Sequence, residues 1–213
     1  MENMNNDAEK IEQIREILQT QDLARSFEIV SLALSIQDDE DRDLYLLDAI
    51  RWLVKNGTWQ KAYGAAQLMS ESYEKSQALQ EVADYTVSIG HLEKAFSIFA
   101  EAEKAATFDN LAEWQKAELL HNIAKSLRRT KAVFKADEVW EKAIAAAQKG
   151  EESPSSQDSL DASSVLAEIA EHFAAAERIE KALNIAQKIK NVDRKERALL
   201  QISTYSQQIK RVA

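Results

Sequence analysis

The sequence predicts an all-α chain of stacked, repeating helix pairs, and three observations carry that prediction. Only four Gly and one Pro occur in 213 residues, which leaves little turn chemistry for hairpins, and no convincing strand pattern appears. Apolar residues recur every three to four positions along nearly the whole chain. A two-helix unit is clearest in residues 77–103, QALQEVADYTVSIGHLEKAFSIFAEAE. Its two amphipathic segments meet at Gly90, and neither can bury its apolar stripe without the other and a neighbouring pair.

Composition limits the possible functions. With 45% hydrophobic and 30% charged residues the chain can bury a substantial core. A net charge of −9 gives no general attraction to phosphate backbones or anionic lipid, so neither a nucleic-acid nor a membrane partner is expected. The absence of Cys excludes disulfides, thiolate zinc sites, iron–sulfur clusters and thiol catalysis. The opening MENMNNDAEKIEQ lacks the basic start and apolar core of a signal peptide, and nowhere do 18 apolar residues run together. A cytoplasmic, non-membrane location is expected.

The elements follow in order. Residues 1–7 are polar and expected to be disordered; 8–19 form a helix with Ile11, Ile14, Ile17 and Leu18 on one face. After a break at Thr20, Gln21 and Asp22, a second helix carries Leu23, Phe27, Val30 and Leu34, and the acidic run 37–43 marks a connection. A helix over 43–56 buries Leu46, Ala49, Ile50 and Leu53 and stops at Gly57, which takes positive φ freely. Thr58 is placed to cap the helix over 59–72, which is followed by 76–89, Gly90 and 91–105. Helices over 112–129 and 132–149 come next, then the stretch GEESPSSQDS at 150–159, read as an exposed, mobile loop from its Pro and Ser cluster. Helices over 161–176, 179–190 and 194–209 finish a single domain spanning 8–213. The last has Leu199, Ile202, Tyr205 and Ile209 as its stripe and no second helix after it, the pattern of a cap.

Superposing the Ala that opens each second helix fixes the register. Ala62, Ala95, Ala136 and Ala182 lie 33, 41 and 46 residues apart, with Ser26 in the same place 36 before Ala62. Sixteen before each Ala stands Leu46, Leu79, Leu120 and Leu166, and the unpaired last helix supplies Leu199. Three further on are Ala49, Val82, Ile123, Ile169 and Ile202, followed by Ile50, Ala83, Ala124, Ala170 and Ser203. Small residues in these rows let two helices approach closely.

Over residues 23–210 this pattern resembles the tetratricopeptide (TPR) repeat, with Leu in place of the first-helix large residue, an apolar-small pair for Leu-Gly, Gly57 and Gly90 at the turn, and Phe99 and Trp140 at the second-helix aromatic. It departs from that family in lacking a first-helix Trp and a unit-ending Pro, and in placing Lys131 and Glu177 at the turn. The resemblance implies an α-α superhelix, a TPR-like solenoid of about five helix pairs plus a C-terminal capping helix.

Catalytic chemistry finds little support in the sequence. Glu118 and His121 have the spacing of di-iron ligands on one helix face, and Glu168 and His172 are one turn apart, but no second Glu-x-x-His occurs. Phosphate-binding glycine loops, nucleophile elbows and H-E-x-x-H are absent. No catalytic residue, metal ligand or cofactor is assigned. Trp140 reads as core and Trp59 as a turn-packing residue, whereas Trp52 and Trp114 are candidates for a contact surface.

The TPR resemblance implies that the outward positions of the first helices line a concave groove. They are Leu47, Asp48, Arg51 and Lys55; Gln80, Glu81 and Asp84; His121, Asn122, Lys125, Arg128 and Arg129; then Glu168, Glu171, Gln201 and Thr204. A basic, hydrogen-bonding block thus sits between acidic or neutral ones. The expected function is a non-enzymatic scaffold that binds a protein or peptide segment through Arg51, Lys55, Gln80, Asp84, His121, Asn122, Lys125 and Arg128, with an acidic group of the partner near Lys125 and Arg128. The alternatives are a small acidic TPR-type chaperone for a poorly folded client and a helical metalloenzyme.

Overall fold

The computed structural model describes residues 2–20, 23–70 and 72–212. Its helices are α1 (Glu2–Thr20), α2 (Ser26–Leu34, after a 3₁₀ turn at Leu23–Arg25), α3 (Asp39–Lys55), α4 (Trp59–Gln67), α5 (Ser72–Ser88), α6 (Leu92–Ala106), α7 (Glu113–Arg129), α8 (Val133–Gly150), α9 (Ser156–Ala175), α10 (Ile179–Lys188) and α11 (Val192–Val212). No strand occurs among the described residues, and none of their helices is long and apolar enough to cross a membrane. Contacts divide the chain into two compact units, Met1–Phe108 and Asp109–Ala213. In the first, α1 packs on α2, α3 on α4 and α5 on α6, with α3 also against α5; in the second, α7 packs on α8 and α9 on α10, while α11 lies on α9 and α10.

The rows read from the sequence form the core. Leu46, Leu79, Leu120 and Leu166 are buried, as are Ala49, Val82, Ile123, Ile169 and Ile202, and Ala62, Ala95, Ala136 and Ala182 have no exposure at all. Leu199 is only half-buried and Ser203 is exposed, so α11 seats chiefly through Ala198 and Ile202.

Several boundaries and faces differ from expectation. Helix α3 begins inside the acidic run, because the Asp38 carboxylate accepts from the Asp41 N–H and three acidic residues then lie in the positive first turn. Thr58 does not cap α4 through its side chain; its hydroxyl instead donates to the Leu53 carbonyl at 3.0 Å. The core face of α2 is Ile29 and Ala33, continued by Ile36, while Phe27 and Leu34 point outward; the Leu23 side chain and the Gln21-Asp22 break lie outside the described residues. Ser26, expected in the row of Ala62, is buried at the start of α2. The stretch 150–159 is also less open than expected: α9 starts at Ser156, capped by Ser155, and Gly150 and Glu151 are buried.

All four glycine-type turns share one geometry. Gly57 and Gly90 have φ of 77° and 86°, and Lys131 and Glu177 adopt 66° and 63° at the equivalent points. At each, the N–H of the positive-φ residue and that of the next residue return to the last helical turn, as in Gly57 to Val54 and Thr58 to Leu53, or Lys131 to Arg128 and Ala132 to Leu127. This is the Schellman motif, in which a side chain at the left-handed residue is strained. Replacing Lys131 by Gly is expected to raise stability by about 0.5 to 1 kcal/mol, as a higher urea midpoint at unchanged slope. A lower midpoint would show that Lys131 contributes something the turn needs.

The three short second helices are closed by a device that the apolar pattern does not show. A carboxylate of an earlier element accepts the main-chain N–H of the link after the short helix: Asp7 of α1 from Gln37 at 3.1 Å, Asp43 of α3 from Ser70 at 2.7 Å, and Glu151, just after α8, from Lys190 at 2.9 Å. Glu151 is oriented by the hydroxyl of Ser163, the counterpart of Asp43 in the register. Lysines complete the closure by donating to the helix-end carbonyls: Lys10 to Ser35, Lys75 to Gln67 and Met69, and Lys195 to Gln187. Asp43 has no exposure and also accepts from the Ser70 hydroxyl. Asp43→Ala removes a buried carboxylate and the acceptor of the Ser70 N–H and is expected to cost about 1 to 3 kcal/mol, with Asp43→Asn costing less. Equal melting of the Ala variant and the unsubstituted chain would contradict this role.

Candidate functional site

The groove positions fall in both units, four of the eight named contact residues in each. In the first unit, α3 and α5 carry Arg51, Lys55, Gln80 and Asp84 on the sides of the helices away from the buried rows. Arg51 already has counter-ions: its Nε donates to Glu81 Oε1 at 2.9 Å, and Nη1 lies 3.7 Å from Asp48 Oδ1. Lys55 is exposed, Gln80 and Asp84 are half-buried, and Leu47, placed in the groove by the register, belongs to the core.

In the second unit, His121 is corrected from a groove residue to an interior one, with 2% of its surface exposed. Trp140, on α8, reaches it and donates its indole N–H to His121 Nδ1 at 3.1 Å. An accepting Nδ1 puts the ring proton on Nε2, which faces Glu168 Oε2 of α9 at 3.7 Å. Burial, then Lys125 and His172, pushes the His121 pKa down from 6.5 to about 3, so the ring is neutral. His172 stands edge-on to His121 at 6.3 Å and against Trp140 at 4.8 Å, with Phe173 5.0 Å from the same indole. His121 therefore offers no free nitrogen lone pair to a metal. No group of three His, Asp or Glu capable of holding an ion occurs among the described residues.

What α7 does present is charge. Lys125 and Arg128 are half-buried and Arg129 is exposed, and among the described residues none of the three side chains forms a hydrogen bond or an ion pair. Several other cations of this unit are paired: Lys116 and Lys149 with Glu113, Lys142 with Glu138, Arg178 with Asp137 and Lys181 with Glu141. The field of the uncompensated set reaches α9, where partial burial and then Lys125, Arg128 and Arg129 lower the pKa of His172. Immediately before His172 on α9, Glu171 is pushed up by partial burial and by Glu168. Asn122, half-buried, lies beside this face.

The tryptophans expected at a contact surface are held inside or locally. Trp52 is buried, its indole N–H finding no partner among the described residues, and Trp114 is half-buried and donates to Asp158 Oδ1 at 3.1 Å. Trp59 lies beside His91 at 6.1 Å at the α3–α4 turn. The His121–Trp140 bond was missed because His121 follows the buried Leu120 on the flank of α7, and only the length of an indole from α8 draws it inward. Two histidines beside a core tryptophan in the same register were the available signal.

No family model matches the chain, and no curated protein matches it. Among solved structures, Ton1535 from Thermococcus onnurineus NA1 is similar, with a TM-score of 0.56 at 15% identity, covering 91% of this chain and 57% of that one. The chain thus spans little more than half the length of that protein, and the likeness is one of fold. The de novo designed helical repeat protein DHR64 aligns over 99% of this chain and 95% of its own, with a TM-score of 0.26 and 18% identity.

Proposed function

We propose that the chain is a TPR-like α-α superhelix acting as a non-enzymatic protein-interaction module, and that the α7 face carrying Lys125, Arg128 and Arg129 receives an acidic group of a protein or peptide partner. The observation that carries this reading is that the side chains of these three residues make no hydrogen bond or ion pair among the described residues, in a chain whose net charge is −9. Uncompensated guanidinium and ammonium groups on a helix face form strong, charge-assisted hydrogen bonds with an incoming carboxylate or phosphate. The superhelical part of the proposal is supported by the repeated Ala and Leu rows and by the four Schellman turns at one register position.

The test is affinity capture from a native lysate with the intact chain and with the Lys125→Glu, Arg128→Glu double variant, after far-ultraviolet circular dichroism shows equal helicity. A partner retained by the intact chain and lost from the variant is the expected outcome. A partner held equally by both moves binding away from α7.

A further inference from the structure

Resting on that binding face, we infer that its ligand is a phosphate monoester, carried on a phosphorylated segment of the partner, rather than a carboxylate. Lys125, Arg128 and Arg129 stand at positions i, i+3 and i+4, so all three side chains leave one turn of α7 on the same side. Three cations without counter-ions within a single turn exceed what one carboxylate can neutralise. A phosphate dianion matches them in charge and supplies three acceptor oxygens, which a guanidinium can meet two at a time. Across the face, the α9 residues in register with Arg128 and Arg129 are Ala174 and Ala175, so the cations meet no carboxylate there.

The acidic residues of α9 choose between a compact dianion and a run of carboxylates. Glu168 and Glu171 lie in register with Asn122 and Lys125, and Glu168 is turned toward His121. An extended Asp- or Glu-rich segment laid along this face would have to pass both of them, and like charges repel at that range. A single group of high charge, placed toward the Arg128 end, avoids them. His172 has the same three cations beside it, so a docked dianion would change its surroundings directly and make it a reporter of occupancy.

The experiment is a nuclear magnetic resonance titration of the full chain with two probes of similar shape, phenyl phosphate and benzoate, at a pH where the first is a dianion. The inference predicts saturable shifts of the His172 ring and of the Lys125, Arg128 and Arg129 side chains, with phenyl phosphate binding at least tenfold more tightly than benzoate. Arg128→Gln should weaken the phosphate shift several-fold and Arg128→Glu should abolish it. Equal affinity for the two probes at this face would overturn the phosphate assignment while leaving the acidic-partner reading standing. Shifts at neither probe, or shifts unaffected by both Arg128 variants, would remove the face as an anion site and the reading beneath it.

Discussion

Leu120→Ala is expected to lower the unfolding free energy of the chain by about 2 to 5 kcal/mol, and with it the melting temperature by about 2 to 4 °C for each kcal/mol. Leu120 is 2% exposed and stands in the row shared with Leu46, Leu79 and Leu166. Truncation removes three carbons from a site closed by helices on several sides, so the loss combines transfer free energy with an unfilled cavity. The helices here are amphipathic surfaces that need one another, and local propensity cannot make up the deficit. An unchanged thermal melt would mean that Leu120 does not bear on the core and that the repeat register is misplaced.

Acidification is expected to destabilise the second unit through His121. Its folded pKa of about 3 lies below the unfolded value of 6.5, so between these limits the unfolded chain takes up a proton that the folded chain does not. The stability contributed by the neutral ring is complete above pH 6.5 and is lost progressively as pH falls toward 3. At about 1.4 kcal/mol per pH unit the full loss is about 4 to 5 kcal/mol, an upper magnitude for a ring 2% exposed. His172 acts in the same direction, its pKa being lowered too. Glu138 and Glu28, held below the usual 4.5 by hydrogen bonds from Lys142 and Arg25, join only at lower pH. Urea melts between pH 6.5 and 5 therefore report chiefly the histidines, with Glu171, whose pKa is raised, acting in the opposite direction. Stability should fall through that window in the unsubstituted chain and fall less in His121→Gln. A flat profile would contradict a buried, neutral His121.

The rows of Leu, Ala and β-branched residues were legible in the sequence because burial selects residue type position by position, and the same spacing recurs five times. Turn positions were legible where Gly57 and Gly90 announce positive φ. At Lys131 and Glu177 the residue type hides the same conformation, and only the register gives it away. In α2 two stripes fit the helical period equally well, and Ile36, beyond the end of the helix, decides between them by packing inward.

The carboxylate and lysine closures were not legible from periodicity because their partners are main-chain groups. A sequence signal did exist: Gln67 of Ala66-Gln67 and Gln187 of Ala186-Gln187 are each followed by a buried apolar residue after two positions, a Lys after eight, and then an Ala-Leu pair. Of the candidate site, the charges of α7 were legible by type and spacing. Their lack of counter-ions was not, since it depends on which carboxylates other elements bring within reach, and the same ignorance left Arg51 looking available when Asp48 and Glu81 hold it.

Calorimetric titration of a captured partner tests most directly whether Lys125 and Arg128 make the binding face. Intact chain and the Lys125→Glu, Arg128→Glu variant are compared at low and at physiological salt. At least a tenfold loss of affinity is expected in the variant, with a salt dependence that is present in the intact chain and much reduced in the variant. Equal affinities with equal salt dependence would contradict it.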